Sequence, residues 1–193
     1  MPVQFLSGGG GTSDVRQIFG NPVLADCYFI GSSGGAGQPA NQVAIKWTIP
    51  ANYLQVNDCL CFATLIKRLA GGTTQGTTCY TTIQIRLGTT GTITDTLVAQ
   101  LVPQIPFGTN TPEAAVFAKG LINVTSIGAS GTCIANANGL SPYGSVAGFT
   151  NGGSKTIDTT STLYLTVCLS VTIGGNTYNV TLSPSGSALC VSF

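Results

Sequence analysis

Residues 163–173 read LYLTVCLSVTI, a run in which strongly apolar and more polar side chains alternate without a break. Every second residue from Leu163 to Ile173 is Leu, Val or Ile, and successive side chains of a β-strand point to opposite faces. One face of this strand therefore packs into a core. The opposite face carries Tyr164, Thr166, Cys168, Ser170 and Thr172.

Shorter runs of the same kind recur along the chain between turns rich in Gly, Asn and Pro. They predict strands at 23–30, 42–49, 58–69, 78–87, 95–102, 115–127, 131–136, 145–150, 162–173, 176–182 and 187–193. Gly174-Gly175-Asn176 predicts a hairpin between the strand at 162–173 and the next one. Residues 112–120 fit a helix as well as a strand, because Pro lies near the start and Gly at the end. Strands at a spacing of about ten residues indicate an all-β protein, an antiparallel β-sandwich or barrel.

The first twenty residues differ from the rest of the chain. A short, partly apolar arm, Met1 to Leu6, is followed by a Gly-rich stretch that has almost no structural preference. We therefore predict a flexible N-terminal arm and hinge at 1–20 and a single sandwich domain at 21–193. Val3, Phe5 and Leu6 are candidate partner-docking residues, because apolar side chains gain nothing in water. The alternative is a frayed terminus.

Charge is scarce: only 7% of the 193 residues are charged, against about a quarter in an average domain, and the formal net charge is +1. The longest basic run is Lys67-Arg68, so a nucleic-acid partner is not expected. No apolar stretch approaches the length of a membrane span, and the start lacks the charged region of a signal peptide. We expect no membrane partner and synthesis in a reducing cytoplasm.

The sequence contains no histidine, which removes the usual base of acyl-transfer triads and the commonest zinc ligand. The carboxylates are scattered, and most stand beside turn signals where Asp acts as a cap. We therefore predict no enzymatic activity, no metal and no cofactor. The carboxylates are Asp14, Asp26, Asp58, Asp95, Glu113 and Asp158.

Seven cysteines are present, an odd number without a C-x-x-C motif. Cys59 and Cys61 lie two apart in a predicted strand, so they share a face and are badly placed to bond each other. In a reducing compartment such residues pack as small hydrophobic side chains. We expect buried or half-buried thiols; one or two disulfides formed after assembly are the alternative.

The outward rows of the predicted strands are Thr, Ser, Gln, Asn, Cys and Tyr, where an ordinary sandwich carries Lys and Glu. Such faces suit close packing against another protein, with hydroxyls completing hydrogen bonds across the contact. We expect a homotrimer or a similarly intimate oligomer. The candidate interface face is Tyr164, Thr166, Cys168, Ser170 and Thr172; the alternative is a soluble domain of low charge.

Two segments carry a resemblance. Residues 46–58, KWTIPANYLQVND, and 82–99, TIQIRLGTTGTITDTLVA, resemble the β-sandwich modules of tailed-bacteriophage virion proteins: capsid decoration (cement) proteins, head fibres and tail-fibre tips. In those modules an I-P-A-N-x-L-x-x-G-D turn precedes a strand, and an I-R-L-G-T-T-G-T-x-x-D-T stretch follows on its partner strand. Asn57 stands where the family usually has Gly, a mild departure because Asn also tolerates positive φ. The match is to a structural motif and covers a little under a third of the chain.

The resemblance implies two functions of different classes. The first is a cement protein, an antiparallel β-sandwich of jelly-roll-like form on the capsid exterior. It is assembled in the host cytoplasm, binds the major capsid protein shell and stabilises it. The alternative is a receptor- or glycan-binding module of a fibre or tail tip, with a host surface receptor as partner. A small jelly-roll capsid subunit is a third possibility, although the N-terminus lacks a basic arm.

Trp47 is expected in the core, where its neighbours Ile45 and Ile49 also point.

Overall fold

The computed structural model describes residues 16–17, 22–31, 41–69, 78–102, 104–106, 115–140, 149–151, 153–173 and 178–192. Within these ranges the backbone forms fourteen strands and no helix. The described part therefore contains no helix long and apolar enough to cross a membrane.

The strands form two antiparallel sheets of seven strands each. Sheet A contains β1 (Arg16–Gln17), β3 (Cys27–Gly31), β5 (Cys59–Leu69), β9 (Ala115–Ser126), β10 (Gly131–Leu140), β12 (Lys155–Ile157) and β14 (Tyr178–Ser192). Sheet B contains β2 (Val23–Leu24), β4 (Gln42–Ile49), β6 (Thr78–Gly88), β7 (Thr96–Leu101), β8 (Gln104–Pro106), β11 (Phe149–Asn151) and β13 (Leu163–Ile173).

The order of sheet A is β1-β14-β5-β9-β10-β12, with β3 also beside β14. The order of sheet B is β11-β7-β6-β13-β4-β2, with β8 beside β6. The chain changes sheet at most of its connections, so neighbours in space are often distant in sequence. Among the described strands, β6–β7 and β9–β10 are consecutive pairs that lie side by side.

One core lies between the sheets. The apolar row of β13 is buried from Leu163 to Val171, and β6 contributes Ile83, Ile85 and Leu87 to the same layer. Sheet A faces them with Leu60, Phe62, Ile66, Ile122, Val124 and Val191, which are also buried. The prediction of an all-β sandwich is confirmed, and the period-two pattern that defined it is the physical reason.

The hairpin predicted after Ile173 is wrong. Strand β13 pairs with β4 and β6 in sheet B, whereas β14 pairs with β1, β3 and β5 in sheet A. Both strands have an apolar row, and these rows face the same core from opposite sides. The connection therefore spans the two sheets. For the same reason β5 and β6 are not partner strands, although the resemblance implied that they would be.

Several boundaries also differ from the prediction. Residues 115–126 form strand β9, so the helical alternative is wrong over these residues. The predicted strand at 23–30 divides into β2 and β3, since the chain crosses from sheet B to sheet A there. The last two predicted strands are one, β14, which has a register shift between Pro184 and Gly186. Strands β8 and β12, of three residues each, were not predicted.

The N-terminal prediction falls mostly on residues that the structure does not describe. Residues 1–15 lie outside the described ranges, and so do the candidate docking residues Val3, Phe5 and Leu6. Arg16 and Gln17, which the prediction placed in the flexible arm, pair with Val191 and Cys190 at an edge of sheet A. Backbone hydrogen bonding to β14 thus begins before residue 20.

Candidate functional site

The loop between β6 and β7 is organised by the carboxylate of Asp95. One oxygen accepts hydrogen bonds from the backbone N–H of Thr90 (3.1 Å) and from its hydroxyl (2.7 Å). The other accepts from the N–H groups of Gly91 (2.7 Å) and Thr92 (3.2 Å). Asp95 is buried, and a Cβ placed on Gly88 would collide with its side chain. This carboxylate therefore shapes the loop and is saturated with donors.

The turn between β4 and β5 is also organised by a buried Asp side chain. Asn52 and Asn57 adopt positive φ, 57° and 74°, as expected for Asn in a turn. Asp58 is fully buried and accepts a hydrogen bond from the backbone N–H of Gln55 (2.9 Å). The backbone N–H of Asn57 donates to Val124 O (2.8 Å), which ties the turn to β9. The residues that carry the resemblance are structural in both segments.

The predicted interface row on β13 is largely covered by its own chain. Thr166 and Cys168 are fully buried, Tyr164 and Ser170 are half-buried, and the side chain of Thr172 is outside the described residues. The row lies on the outer face of sheet B, with residues of β6 and β4 directly alongside it. A partner on this face would contact the covering side chains, not Thr166 and Cys168.

A hydrogen-bonded network of polar side chains forms that cover. Asn41 Nδ2 donates to Gln84 Oε1 (2.9 Å), and Gln84 Nε2 donates to Gln100 Oε1 (3.1 Å). Arg86 donates to the same Gln84 oxygen through Nε (3.2 Å) and Nη2 (2.8 Å), and through Nη1 to Asp95 O (2.7 Å). The network links the residue before β4 to β6 and β7 across the intervening strand β13.

Tyr164 is also partly covered. The Lys46 ammonium lies over its ring, 5.4 Å from the centroid, a cation–π arrangement. A Cβ placed on Gly91 would lie 3.0 Å from Tyr164 Cγ, so the loop packs closely against the ring. The ring is therefore not an open platform for a sugar.

The other aromatic residues divide between core and surface. Trp47 is buried in the core as predicted, and Tyr53 packs against the core. Tyr28 is 61% exposed, and the side chain of Gln42 bonds both its backbone N–H (3.2 Å) and its carbonyl (2.6 Å). The side chains of Tyr80, Tyr143 and Tyr178 lie outside the described residues.

The outer face of sheet A is a surface that sequence reasoning missed. Leu121 on β9 is 45% exposed and pairs with Asn136, and Ile134 on β10 is 44% exposed and pairs with Asn123. Lys119 is the exposed charge on this part of the sheet. Cross-strand pairing sets Leu121 beside Cys61, and Cys61 beside Cys190. The sequence of β9 contained a signal for this surface, because Leu121 occupies one of the outward-facing positions of the alternating pattern.

Three thiols lie together on this face. Cys61 Sγ is 3.9 Å from Cys59 Sγ, and Cys190 Sγ is 3.7 Å from Cys61 O. All three residues are half-buried, and burial, followed by the neighbouring Cys61, raises the pKa of Cys190. The described side chains contain no group of three or more His, Cys, Asp or Glu residues that could hold a metal ion, these thiols included.

Three other cysteines are buried, which confirms the expectation of buried or half-buried thiols for the six cysteines whose side chains are described. Burial raises the pKa of Cys27 to about 12 and that of Cys133 to about 11. It also raises the pKa of Cys168, against a hydrogen bond to Thr166. These thiols are protonated and inert near neutral pH.

Comparison with known proteins adds no family. A scan against protein-family models, a search of the curated proteins and a search of the solved structures each found no match for this chain.

Proposed function

We propose that this protein is a structural virion protein, a capsid decoration or cement protein that binds the shell of major capsid protein and stabilises it. It acts as a homotrimer on the capsid exterior after assembly in the host cytoplasm, without catalytic chemistry. The proposal starts from the resemblance of residues 46–58 and 82–99 to phage β-sandwich modules.

The strand topology supports this proposal. Four central strands of sheet A have the order β3-β14-β5-β9, and four of sheet B have the order β4-β13-β6-β7. Successive strands from β3 to β6 alternate between the two sheets, and so do β13 and β14. A double sheet of eight such strands is the arrangement of jelly-rolls, which occur in viral capsid and lectin domains. The choice between those two roles then depends on the surface, because fold does not determine function.

The observation that carries the proposal is the outer face of sheet A. It presents the exposed side chains of Leu121 and Ile134 among Asn, Thr and Cys side chains. Apolar residues at the centre of a weakly charged, polar-rimmed surface are typical of protein–protein contacts. We assign this face to the contact between copies of the protein. The N-terminal arm makes the contact with the capsid shell in this proposal.

Analytical ultracentrifugation of the full chain tests the assigned face. The wild type should sediment as a trimer at micromolar concentration, and the double variant Leu121→Lys/Ile134→Lys should be a monomer with unchanged circular dichroism. Ile127→Lys is the matched control, because Ile127 is 52% exposed but lies in the β9–β10 turn. A monomeric wild type, or a trimeric double variant, would refute the assignment.

Localisation tests the role on the virion. Immunogold labelling and mass spectrometry of purified virions should place the protein on the capsid exterior. Deleting residues 1–11 should leave the sandwich folded and trimeric but abolish its co-sedimentation with capsids, because Val3, Phe5 and Leu6 would be lost. Full capsid occupancy by the truncated protein would contradict the tether role.

The alternative, a receptor- or glycan-binding tip module, is supported by Tyr28. Tyr28 is 61% exposed, and the side-chain amide of Gln42 holds the backbone of this residue through two hydrogen bonds. An exposed aromatic side chain on a fixed backbone is a common element of carbohydrate sites. Binding of the isolated sandwich to a glycan array, lost in Tyr28→Ala, would favour this function over the cement role.

A further inference from the structure

The three thiols on the outer face of sheet A are not equivalent in their geometry. Cys61 and Cys190 are directly opposite each other on the antiparallel strands β5 and β14. Opposite residues of antiparallel strands have Cα atoms about 4.5–5.5 Å apart. A disulfide requires a Cα separation of about 4.4–6.8 Å, so the backbone already places this pair within the required range.

The other pairs on this face fit a disulfide less well. Cys59 and Cys61 have close sulfur atoms, but residues two apart on one strand are separated by about 6.7 Å between Cα atoms, at the limit of the range. Cys59 is opposite Ser192, which makes Cys190 its diagonal neighbour at about 7–8 Å. Cys61–Cys190 is therefore the pair that can close without moving a strand.

We propose that Cys61 and Cys190 form a cross-strand disulfide when the protein meets a low-molecular-weight disulfide such as oxidised glutathione, while Cys59 stays a thiol. The thiolate of one cysteine attacks the glutathione disulfide, forms a mixed disulfide and releases one glutathione thiolate. The thiolate of the other cysteine attacks the protein sulfur of the mixed disulfide and releases the second glutathione. Two protein thiols are oxidised and one glutathione disulfide is reduced to two thiols, so atoms and electrons balance.

Exposure restricts this chemistry to the outer face. Cys61 and Cys190 are half-buried and face outward, whereas Cys27, Cys133 and Cys168 are buried. The glutathione pool of a reducing compartment keeps such a pair reduced, and an oxidising medium allows it to close; the raised pKa of Cys190 slows an attack that starts from this thiol.

The crosslink would join positions 129 residues apart and fasten the last strand to the middle of sheet A. A disulfide that closes so long a loop restricts the unfolded chain strongly. For a chain of this length we expect the oxidised protein to unfold about 10 °C above the reduced protein.

The test uses the full chain, reduced and then equilibrated with oxidised glutathione, alkylated and digested with trypsin. Tandem mass spectrometry should identify a Cys61–Cys190 crosslink between peptides 47–67 and 156–193. Cys61→Ser and Cys190→Ser should each abolish the crosslink and the thermal shift, and Cys59→Ser should retain both. Cys168→Ser, a change in the same C-terminal peptide, is the matched control and should also retain both.

Four results would overturn the proposal. They are a Cys59–Cys61 product, a crosslink that persists in Cys61→Ser, a stable mixed disulfide with glutathione in place of the crosslink, and full reduction of both the wild type and the Leu121→Lys/Ile134→Lys variant under oxidised glutathione. The double variant is included because the proposed contact between copies would cover Cys61 and Cys190 in the wild type. A crosslink that forms only in this variant supports the proposal, so failure here is separable from failure of the proposed function.

Discussion

Replacement of Asp95 by Asn tests whether the loop between β6 and β7 is held by one buried carboxylate. The substitution preserves the shape of the side chain but removes its charge and converts one oxygen into an NH₂ group. In the native structure both oxygens accept two hydrogen bonds each, three from backbone N–H groups and one from a hydroxyl. An Asn side chain has a single oxygen, so it can accept the hydrogen bonds of only one of these two oxygens.

The expected loss of stability follows from the hydrogen-bond partners of Asp95. The Asn amide would turn its nitrogen toward Thr90, whose hydroxyl can rotate to accept, while Gly91 and Thr92 keep a neutral acceptor. The backbone N–H of Thr90 then loses its acceptor, at about 1–3 kcal/mol, and two charge-assisted bonds become ordinary ones, at about 1 kcal/mol each. Removing a buried charge from a low-dielectric site offsets part of this loss. We expect the free energy of unfolding to fall by about 3 kcal/mol.

Urea denaturation followed by circular dichroism measures this change. With a slope of about 2–3 kcal/mol per molar urea, the midpoint should fall by about 1–1.5 M at unchanged slope. Amide hydrogen exchange should accelerate first at Thr90, whose N–H loses its acceptor, and then at Gly91 and Thr92, before the rest of the sheet. Asp158→Asn is the matched control, since Asp158 caps its own turn through Thr160 and Ser161 but is exposed to solvent; its effect should be much smaller.

A midpoint for Asp95→Asn equal to that of Asp158→Asn would refute this reasoning. It would mean that the loop is held by β6–β7 pairing alone and that the Asp of the D-T motif has another role. Faster exchange throughout the sandwich, with no preference for the loop, would also count against a local capping role.

Three further predictions concern single side chains. Thr64 and Thr81 have buried hydroxyls without a hydrogen-bond partner among the described residues, so replacing each with Val should raise the free energy of unfolding by about 1 kcal/mol; a loss of stability in urea titrations would contradict this. Cys133 is buried and burial raises its pKa to about 11, so under native conditions at pH 8 it should be alkylated far more slowly than half-buried Cys61, as followed by mass spectrometry; equal rates would contradict it. The hydrogen bond from the Thr160 hydroxyl holds the pKa of Asp158 below the ordinary 3.8, so its stabilisation is present above that value and lost as pH falls through the folded pKa; Thr160→Val should raise the pKa in an NMR titration.

The sequence determined the local features of the chain. Period-two alternation located β4 at 42–49 and β13 to within one residue, because burial of one face imposes that period on any half-buried strand. Turn chemistry anticipated the capping roles of Asp58 and Asp95, and the resemblance anticipated the positive φ of Asn57, where the family usually has Gly. Each of these depends on contacts within a few residues, which the order of amino acids specifies directly.

Tertiary structure alone decided the relations between distant segments. The alternation of apolar and polar residues shows that a strand has an inner face, but not which sheet the strand joins. The connection after Ile173 was therefore predicted to be a hairpin, although β13 and β14 lie in different sheets. The alternation also did not reveal that Gln84 and Arg86 lie beside Cys168 and Thr166, or that Asn41 bonds Gln84, since these contacts require β4, β13 and β6 to be adjacent. The pairing of Cys61 with Cys190 is of the same kind: the register of two strands 129 residues apart is set by the packing of both apolar faces onto one core, and no local pattern contains it.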